Sequence, residues 1–272
     1  MVETAAEPVL RVENVSRRFG GLLAVNGASF DAGRGRITAL IGPNGAGKTT
    51  LFSIISGFLK PNDGRVLFDG ENIVGQPPHR LAQRGLVRTF QIVQPFPGLT
   101  VRENIAVGAH LAKPKRQDAL DAAEDVARRV GLDSQIDKPA AGLTVAGRKR
   151  LELARALALK PKLLLLDEVL AGLNPSEIRD MVPVIREICS GGVTIIMIEH
   201  IMQAVMNLAQ HVLVLSEGRI IAGGAPNEIA DNERVVEAYL GRGAAQRMLQ
   251  AGKAQGTGRG TGQAAAQGMA DV

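Results

Sequence analysis

The sequence has no tryptophan, a single tyrosine (Tyr239) and a single cysteine (Cys189). With aromatic residues at 3% of 272 positions, it lacks the stacking surfaces that grip single-stranded nucleic acid. The other footprint of such a partner would be a basic patch on the fold. The net charge of +5 does not supply one, because Arg242, Arg247, Lys253 and Arg259, set against Asp271, carry most of it and leave the preceding residues close to neutral. No nucleic-acid partner is therefore expected. A lone cysteine excludes an internal disulfide framework and fits a reducing compartment. Cys189 itself reads as a small buried apolar residue on a helix. No apolar run approaches the roughly 18–20 residues that span a bilayer. The acidic, small-residue opening (residues 1–8) does not read as a secretory signal.

What is present is a chain 45% hydrophobic, long enough for one large domain or a domain with a subdomain. Its most informative stretch is Gly42-Pro43-Asn44-Gly45-Ala46-Gly47-Lys48-Thr49. This run fits the phosphate-binding pattern G-x-x-x-x-G-K-[ST] at every fixed position. The context also fits. Residues 37–41 read as a short buried strand before it, and Leu51, Ile54, Ile55 and Phe58 place one apolar face on a helix after it, which Gly57 and Pro61 end. Glycines let the backbone turn tightly and aim N–H groups at a polyphosphate. The following helix adds its positive end. Lys48 is expected to reach the terminal phosphates and the Thr49 hydroxyl to ligate Mg²⁺, with Thr50 beside it completing the nucleotide-binding set.

Residues 9–31 read as two strands joined by a turn at 17–21, followed by strands at 65–68 and 86–90, the last running into Gln91. Residues 101–112, 118–131 and 147–159 read as helices rich in alanine and charge, a candidate helical subdomain at about 95–158 inserted into the sheet domain. Beyond it come strands at 163–167, 193–198, 211–215 and 219–222 with helices between them, and two short helices near 241. Alternating strands and helices imply a mostly parallel sheet with helices on both faces. The glycine- and alanine-rich residues 242–272 read as a disordered tail.

The apolar strand 163–167 ends in Asp167-Glu168. Behind a phosphate loop, an aspartate there can hold Mg²⁺ through a water next to Thr49, and the adjacent glutamate can polarise an attacking water. Buried strands also end in acids merely for solvation, so the pair has two readings.

At this point the chain resembles the ATP-binding subunits of ABC transporters, over about residues 9–241. The resemblance implies a P-loop NTPase of the ABC ATPase kind, α/β in class, with an N-terminal antiparallel β subdomain and the inserted helical subdomain. It implies an adenine-stacking role for Phe19, whose other reading is a turn anchor. Gln91 corresponds to the glutamine that touches Mg²⁺ and the attacking water, and His200 to the switch histidine at the γ-phosphate. Glu168 takes the catalytic position. Asn174, closing Ala171-Gly172-Leu173-Asn174, belongs to the loop that meets a partner cassette. The family signature Leu-Ser-Gly-Gly-Gln reads Leu143-Thr144-Val145-Ala146-Gly147 here. In the family this segment closes over ATP bound to the opposite subunit. Val145 and Ala146 bring Cβ atoms where glycine is usual, at a cost of about 1–2 kcal/mol if either needs φ > 0. Gly147 lacks the glutamine amide. These departures leave open a weakly hydrolysing nucleotide-binding subunit. Val169, where the family usually has proline, is expected to matter little.

Residues 17–26, 57–61, 88–91, 171–175, 198–200 and 236–241 are similar to one branch, the LivG-type ATPases of branched-chain amino-acid importers. Importers of urea or short amides use close relatives, so the solute stays open. A soluble ABC-type ATPase acting on nucleic acid or the ribosome would tend to carry two cassettes. The resemblance implies ATP and Mg²⁺ as cofactors, and a second ABC ATPase subunit, alike or different, paired head to tail. It further implies two membrane permeases, a solute-binding protein acting indirectly, and a place on the cytoplasmic face of the bacterial inner membrane.

Overall fold

Alternating apolar residues across 10–32 build a hairpin. Strand β1 (Leu10–Phe19) pairs antiparallel with β2 (Leu22–Ala32) across Gly20-Gly21. In this computed structural model, which describes residues 7–91, 94–230 and 232–240, β4 (Asp63–Phe68) and β5 (Glu71–Asn72) extend that hairpin to a four-stranded antiparallel sheet in the order β2-β1-β4-β5. The expected disordered tail lies outside the described residues.

The second sheet is six-stranded, in the order β10-β9-β3-β8-β7-β6. Its members are β3 (Ile37–Ile41), β6 (Leu86–Arg88), β7 (Leu163–Asp167), β8 (Thr194–Ile198), β9 (His211–Ser216) and β10 (Arg219–Gly224). All neighbours pair parallel except β9 and β10, which form a hairpin at the edge. The uninterrupted apolar runs of β3, β7 and β8 are what a strand buried on both faces requires. Successive side chains point to opposite faces. Leu163 and Leu165 therefore pack into the core shared with the antiparallel sheet, and Leu164 and Leu166 into the core beneath the helices.

Helix α1 (Lys48–Ile55) follows β3 and lies in the core between the sheets, where Leu51, Phe52 and Ile55 are fully buried. The expected apolar face is right for Leu51, Ile54 and Ile55 but not for Phe58. The helix ends at Ile55, Gly57 takes a φ of 76°, and Phe58 lies past the end, 55% exposed and edge-on to Phe90 at 5.5 Å. Strand β6 is likewise shorter than the expected 86–90, since it ends at Arg88 and Phe90 is 46% exposed. Short helix α2 (Pro78–Arg84) precedes it.

Helices α3 (Val101–Ala109), α4 (Arg116–Arg129) and α5 (Val145–Ala158) pack on one another between β6 and β7. Thr100 and Glu103 open α3 with a reciprocal capping box, a signal legible as T-x-x-E. Fully buried Asn104 pins the chain leading into that helix. Its Nδ2 donates to the carbonyls of Phe96, Leu99 and Thr100 at 3.1, 3.3 and 2.9 Å, and its Oδ1 accepts from the Phe96 N–H at 2.9 Å. Removing these partners leaves buried backbone groups unpaired, so Asn104→Ala is expected to cost about 3 kcal/mol in urea unfolding. Helices α6 (Pro175–Ser190), α7 (Met202–Leu208), α8 (Pro226–Ala230) and α9 (Glu233–Leu240) complete the fold. Cys189, on α6, is buried and forms no disulfide. Among the described residues no helix is long and apolar enough to cross a membrane.

Candidate functional site

The loop from β3 to α1 is held from outside by the β9–β10 turn. Gly218 N–H donates to Ala46 O at 3.0 Å, and Gly218 O accepts from Asn26 N–H at 2.8 Å. Gly47 caps α1 at φ 105°, and a Cβ there would stand 2.2 Å from the Ala24 carbonyl oxygen. Only glycine fits that close approach. Lys48, the first residue of α1, is 6% exposed and folds its ammonium into the loop, donating to Gly42 O at 2.6 Å and Pro43 O at 3.0 Å. Burial pushes its pKa down, while the charges of Glu168 and Asp167 pull it up. The ammonium therefore sits where phosphate oxygens could replace carbonyls as acceptors. Tyr239 of α9 stands at the loop's entrance, where burial raises its phenol to about 12 and the Gly42 amide acts against that rise.

Facing the loop, the ends of β6, β7 and β8 bring three expected residues together. Glu168 Oε2 accepts from Gln91 Nε2 at 2.6 Å, and Glu168 Oε1 lies 2.9 Å from His200 Nε2. These residues are 77 and 32 positions from Glu168 in sequence. Parallel pairing of β7 with β8, ending at Asp167 opposite Ile198, sets their register. Glu168 adopts a φ of 51°, rare for a non-glycine residue, and its N–H is tied to Ile198 O at 3.0 Å. That turn aims the carboxylate back across the sheet edge instead of letting β7 continue.

Thr49, Gln91 and Asp167 line one cleft of about 780 Å³, together with Arg88 and Thr89. Their donors are a hydroxyl, an amide oxygen and a carboxylate, the hard oxygen set that magnesium takes alongside substrate phosphates. Arg88 was not anticipated. Its guanidinium donates to Asp167 Oδ2 at 2.7 Å and to the hydroxyls of Ser53 on α1 and Ser56 at its C-cap, at 3.1 and 3.3 Å. It therefore links the loop helix, β6 and the end of β7, and leaves Asp167 Oδ1 for a further partner. A charged residue closing the apolar run Leu86-Val87-Arg88 was the available signal, since buried charges need partners.

Glu199, beside His200, is the other unanticipated acid. It is 2% exposed and accepts from the Leu170 N–H at 2.9 Å. Burial, reinforced by the charge of Glu168, raises its carboxyl from 4.5 to about 7, against the pull of the Leu170 and His200 amides. The folded state thus holds a proton that the unfolded chain has already released above 4.5. Stability from this group is full below about pH 4.5 and declines as pH rises to about 7. Glu199→Gln is expected to abolish that slope, worth on the order of 3 kcal/mol, in urea titrations at pH 5 and pH 8.

The remaining expected residues lie on other edges. Phe19 ends β1, 45% exposed, with the Arg17 guanidinium 4.9 Å over its ring. Thr144 is the N-cap of α5, accepting from the Gly147 N–H at 3.1 Å, and Val145 is 53% exposed in the first turn. The helix therefore opens at Val145, two residues before the expected start. Neither Val145 nor Ala146 has a positive φ, so the conditional strain does not arise. Asn174 caps α6, its Oδ1 accepting from Ser176 and Glu177 amides at 2.9 and 3.0 Å.

Comparison with known proteins agrees with this geometry. The profile of the ABC transporter family matches residues 25–171, and that of the branched-chain amino acid ATP-binding cassette transporter matches residues 219–245. The high-affinity branched-chain amino acid transport ATP-binding protein BraF of Pseudomonas aeruginosa is 39% identical over 252 residues, covering 87% of this chain and 99% of its own. LivG of Escherichia coli, of the same description, is 38% identical over the same shares. Among solved structures, a nucleotide-free ATP-binding cassette from an ABC transporter superposes with a TM-score of 0.78 at 34% identity, covering 85% of this chain and 98% of that one. The ADP conformation of a related cassette gives 0.78 at 33% identity, covering 86% and 99%.

Proposed function

Because this chain belongs to the ABC transporter family of ATP-binding cassettes, we propose that it is the ATP-hydrolysing subunit of an importer for branched-chain amino acids. The observation that carries the catalytic reading is the convergence of Gln91 and His200 on the Glu168 carboxylate at the mouth of the phosphate loop. The solute assignment rests on the relatives and on the matched C-terminal segment.

In this reading the loop amides of residues 42–47 and the start of α1 receive the phosphates, and Lys48 leaves the Gly42 and Pro43 carbonyls for the terminal ones. Thr50 lies beside them, and Phe19 offers its exposed ring to the adenine. Glu168 accepts a proton from the attacking water. Gln91 holds the other carboxylate oxygen, and His200, hydrogen-bonded to Glu168, turns toward the γ-phosphate. Thr49, Gln91 and Asp167 would hold magnesium, which would supply charge neutralisation at the phosphates.

A second cassette, alike or different, pairs head to tail, so that Thr144, Val145, Ala146, Gly147 and Asn174 approach the partner's nucleotide. Asn174 does so while its side chain caps α6. Two permeases dock from the membrane at the cytoplasmic face, and the extracellular or periplasmic solute-binding protein acts through them. The outer rim of the same cleft that Thr49, Gln91 and Asp167 line, where Phe90 and Val107 are exposed, is the surface we assign to them. Co-expression with the neighbouring permeases and second cassette, followed by uptake of leucine, isoleucine, valine, urea and acetamide into proteoliposomes supplied with the solute-binding protein, tests the assignment. ATP-dependent uptake of the branched amino acids supports it, whereas uptake of urea or acetamide alone overturns the solute.

A further inference from the structure

Helix α5 carries two charged residues that the catalytic reading does not use. Lys149 is 5% exposed and Glu152 is 9% exposed. They stand one turn apart, as neighbours on the same helical surface. Burying two charges costs several kcal/mol unless their hydrogen-bonding capacity is met, so their partners are informative. Lys149 Nζ donates to Gln91 O at 3.2 Å and to Glu168 O at 3.1 Å. The Glu152 carboxylate accepts the Phe90 N–H. Each charge thus grips backbone, and the backbone belongs to the catalytic pair and its neighbour.

The location explains why such a grip is needed. Strand β6 ends at Arg88, and the Thr89 N–H makes one further bond to the neighbouring strand, at 2.9 Å to Leu165 O. Beyond it, the Phe90 amide and the Gln91 carbonyl are met by α5 and not by the sheet. Glu168 has the opposite difficulty. It holds a left-handed φ of 51°, a conformation that costs of order 1–3 kcal/mol and persists only where the surroundings over-determine it. Its N–H is fixed by Ile198, and its carbonyl accepts from the Ala171 N–H and from Lys149 Nζ, each at 3.1 Å. The Lys149 ammonium thus bridges two backbones whose side chains meet at 2.6 Å, just beyond the point where the Thr89 hydroxyl accepts from the Asp167 N–H at 3.2 Å. Glu152 stands beside that ammonium and pins the preceding residue, its own carboxyl raised above the ordinary range by burial.

We infer that Lys149 and Glu152 are positioning residues for the Gln91–Glu168 pair: α5 holds the backbone of both partners, and hydrolysis depends on that hold while nucleotide affinity does not. The inference rests on the catalytic reading of Glu168. It adds that the helix opened by the signature segment also supplies the alignment of this chain's own catalytic carboxylate.

The test uses the full chain assembled with its partner cassette and permeases, measuring ATP turnover, with nucleotide affinity read on the full chain by calorimetry. Lys149→Met keeps the aliphatic stem and removes the donors. It is expected to lower kcat about 10–100-fold, as misplacing a catalytic group by an ångström does, with the ATP Kd within about twofold of wild type. Lys149→Arg, which restores donors and charge, is expected to recover most of that loss. Combining Lys149→Met with Gln91→Ala is expected to cost no more than the worse single change, because both disrupt one pair. Glu152→Gln retains an acceptor for Phe90 and serves if Lys149→Met does not fold, with Glu152→Leu as its contrast. The leucine variant should lose turnover and the glutamine variant keep more of it. Unchanged kcat in Lys149→Met overturns the inference, as do parallel losses of kcat and affinity, or full additivity with Gln91→Ala. If Glu168→Gln itself leaves turnover intact, it is the catalytic reading that fails.

Discussion

Glu168→Gln is expected to lower kcat for ATP hydrolysis by about 10²–10⁴-fold, the usual contribution of a positioned general base. Nucleotide affinity should hold or rise slightly. The amide keeps the shape of the carboxylate and its contacts to Gln91 and His200, at 2.6 and 2.9 Å in the wild-type chain. What it loses is the ability to take a proton, together with a negative charge facing the phosphates. Affinity and turnover should therefore separate, which rapid-quench single-turnover measurements with wild-type and variant assemblies can read. A joint fall in both would mean that Glu168 serves the loop's structure. The same variant bears on the two-site arrangement. The signature segment of this chain reads Leu143-Thr144-Val145-Ala146-Gly147 and, in the proposed head-to-tail pair, would face the partner's nucleotide. Disabling Glu168 should then cost more transport than disabling the partner's corresponding glutamate. Equal losses would count against that asymmetry.

The second large effect is structural and lies in the loop. Gly47→Ala should destabilise the fold by about 3–5 kcal/mol, combining a strained left-handed residue with overpacking. At φ 105° the new Cβ would stand 2.2 Å from the Ala24 carbonyl, which is backbone of β2 and cannot swing aside as a side chain would. Gly45→Ala separates the two causes. It also has a positive φ, 78°, but no atom within 4 Å of the added Cβ, so only the strain of about 1–2 kcal/mol remains. In thermal unfolding at about 2–4 °C per kcal/mol, the two variants should differ clearly, with Gly47→Ala far lower. Equal melting temperatures would show that β2 yields and that the close approach carries no weight.

Much of this molecule was legible because its signals are local. The strands β3 and β7 are unbroken apolar runs, and the loop between β3 and α1 carries its glycines and lysine at fixed spacing. The meeting of Gln91, Glu168 and His200 came from the family resemblance, since spacing of 77 and 32 residues holds no periodicity. The features that escaped share a cause. Arg88 with Asp167, and Lys149 with the Gln91 and Glu168 carbonyls, join elements whose neighbourhood is set by strand order, and strand order is not written in any short window. Phe58 escaped for a different reason. Its helical spacing was correct, but Ser56 and Gly57 end α1 first, so backbone conformation overrode the pattern. The strain assigned conditionally to Val145 and Ala146 vanished because α5 starts at Val145 under a Thr144 cap, placing both in ordinary helical backbone.

The central claim, that the loop between β3 and α1 is a phosphate cradle closed by Lys48, is tested most directly by thermal unfolding of the full chain with and without 5 mM Mg-ATP, alongside Lys48→Ala. A ligand at about 100 times its Kd adds about 2.7 kcal/mol, so the wild type should melt about 5–10 °C higher with nucleotide, and the variant should lose most of that gain. No shift in the wild type, or an equal shift in both proteins, would contradict it.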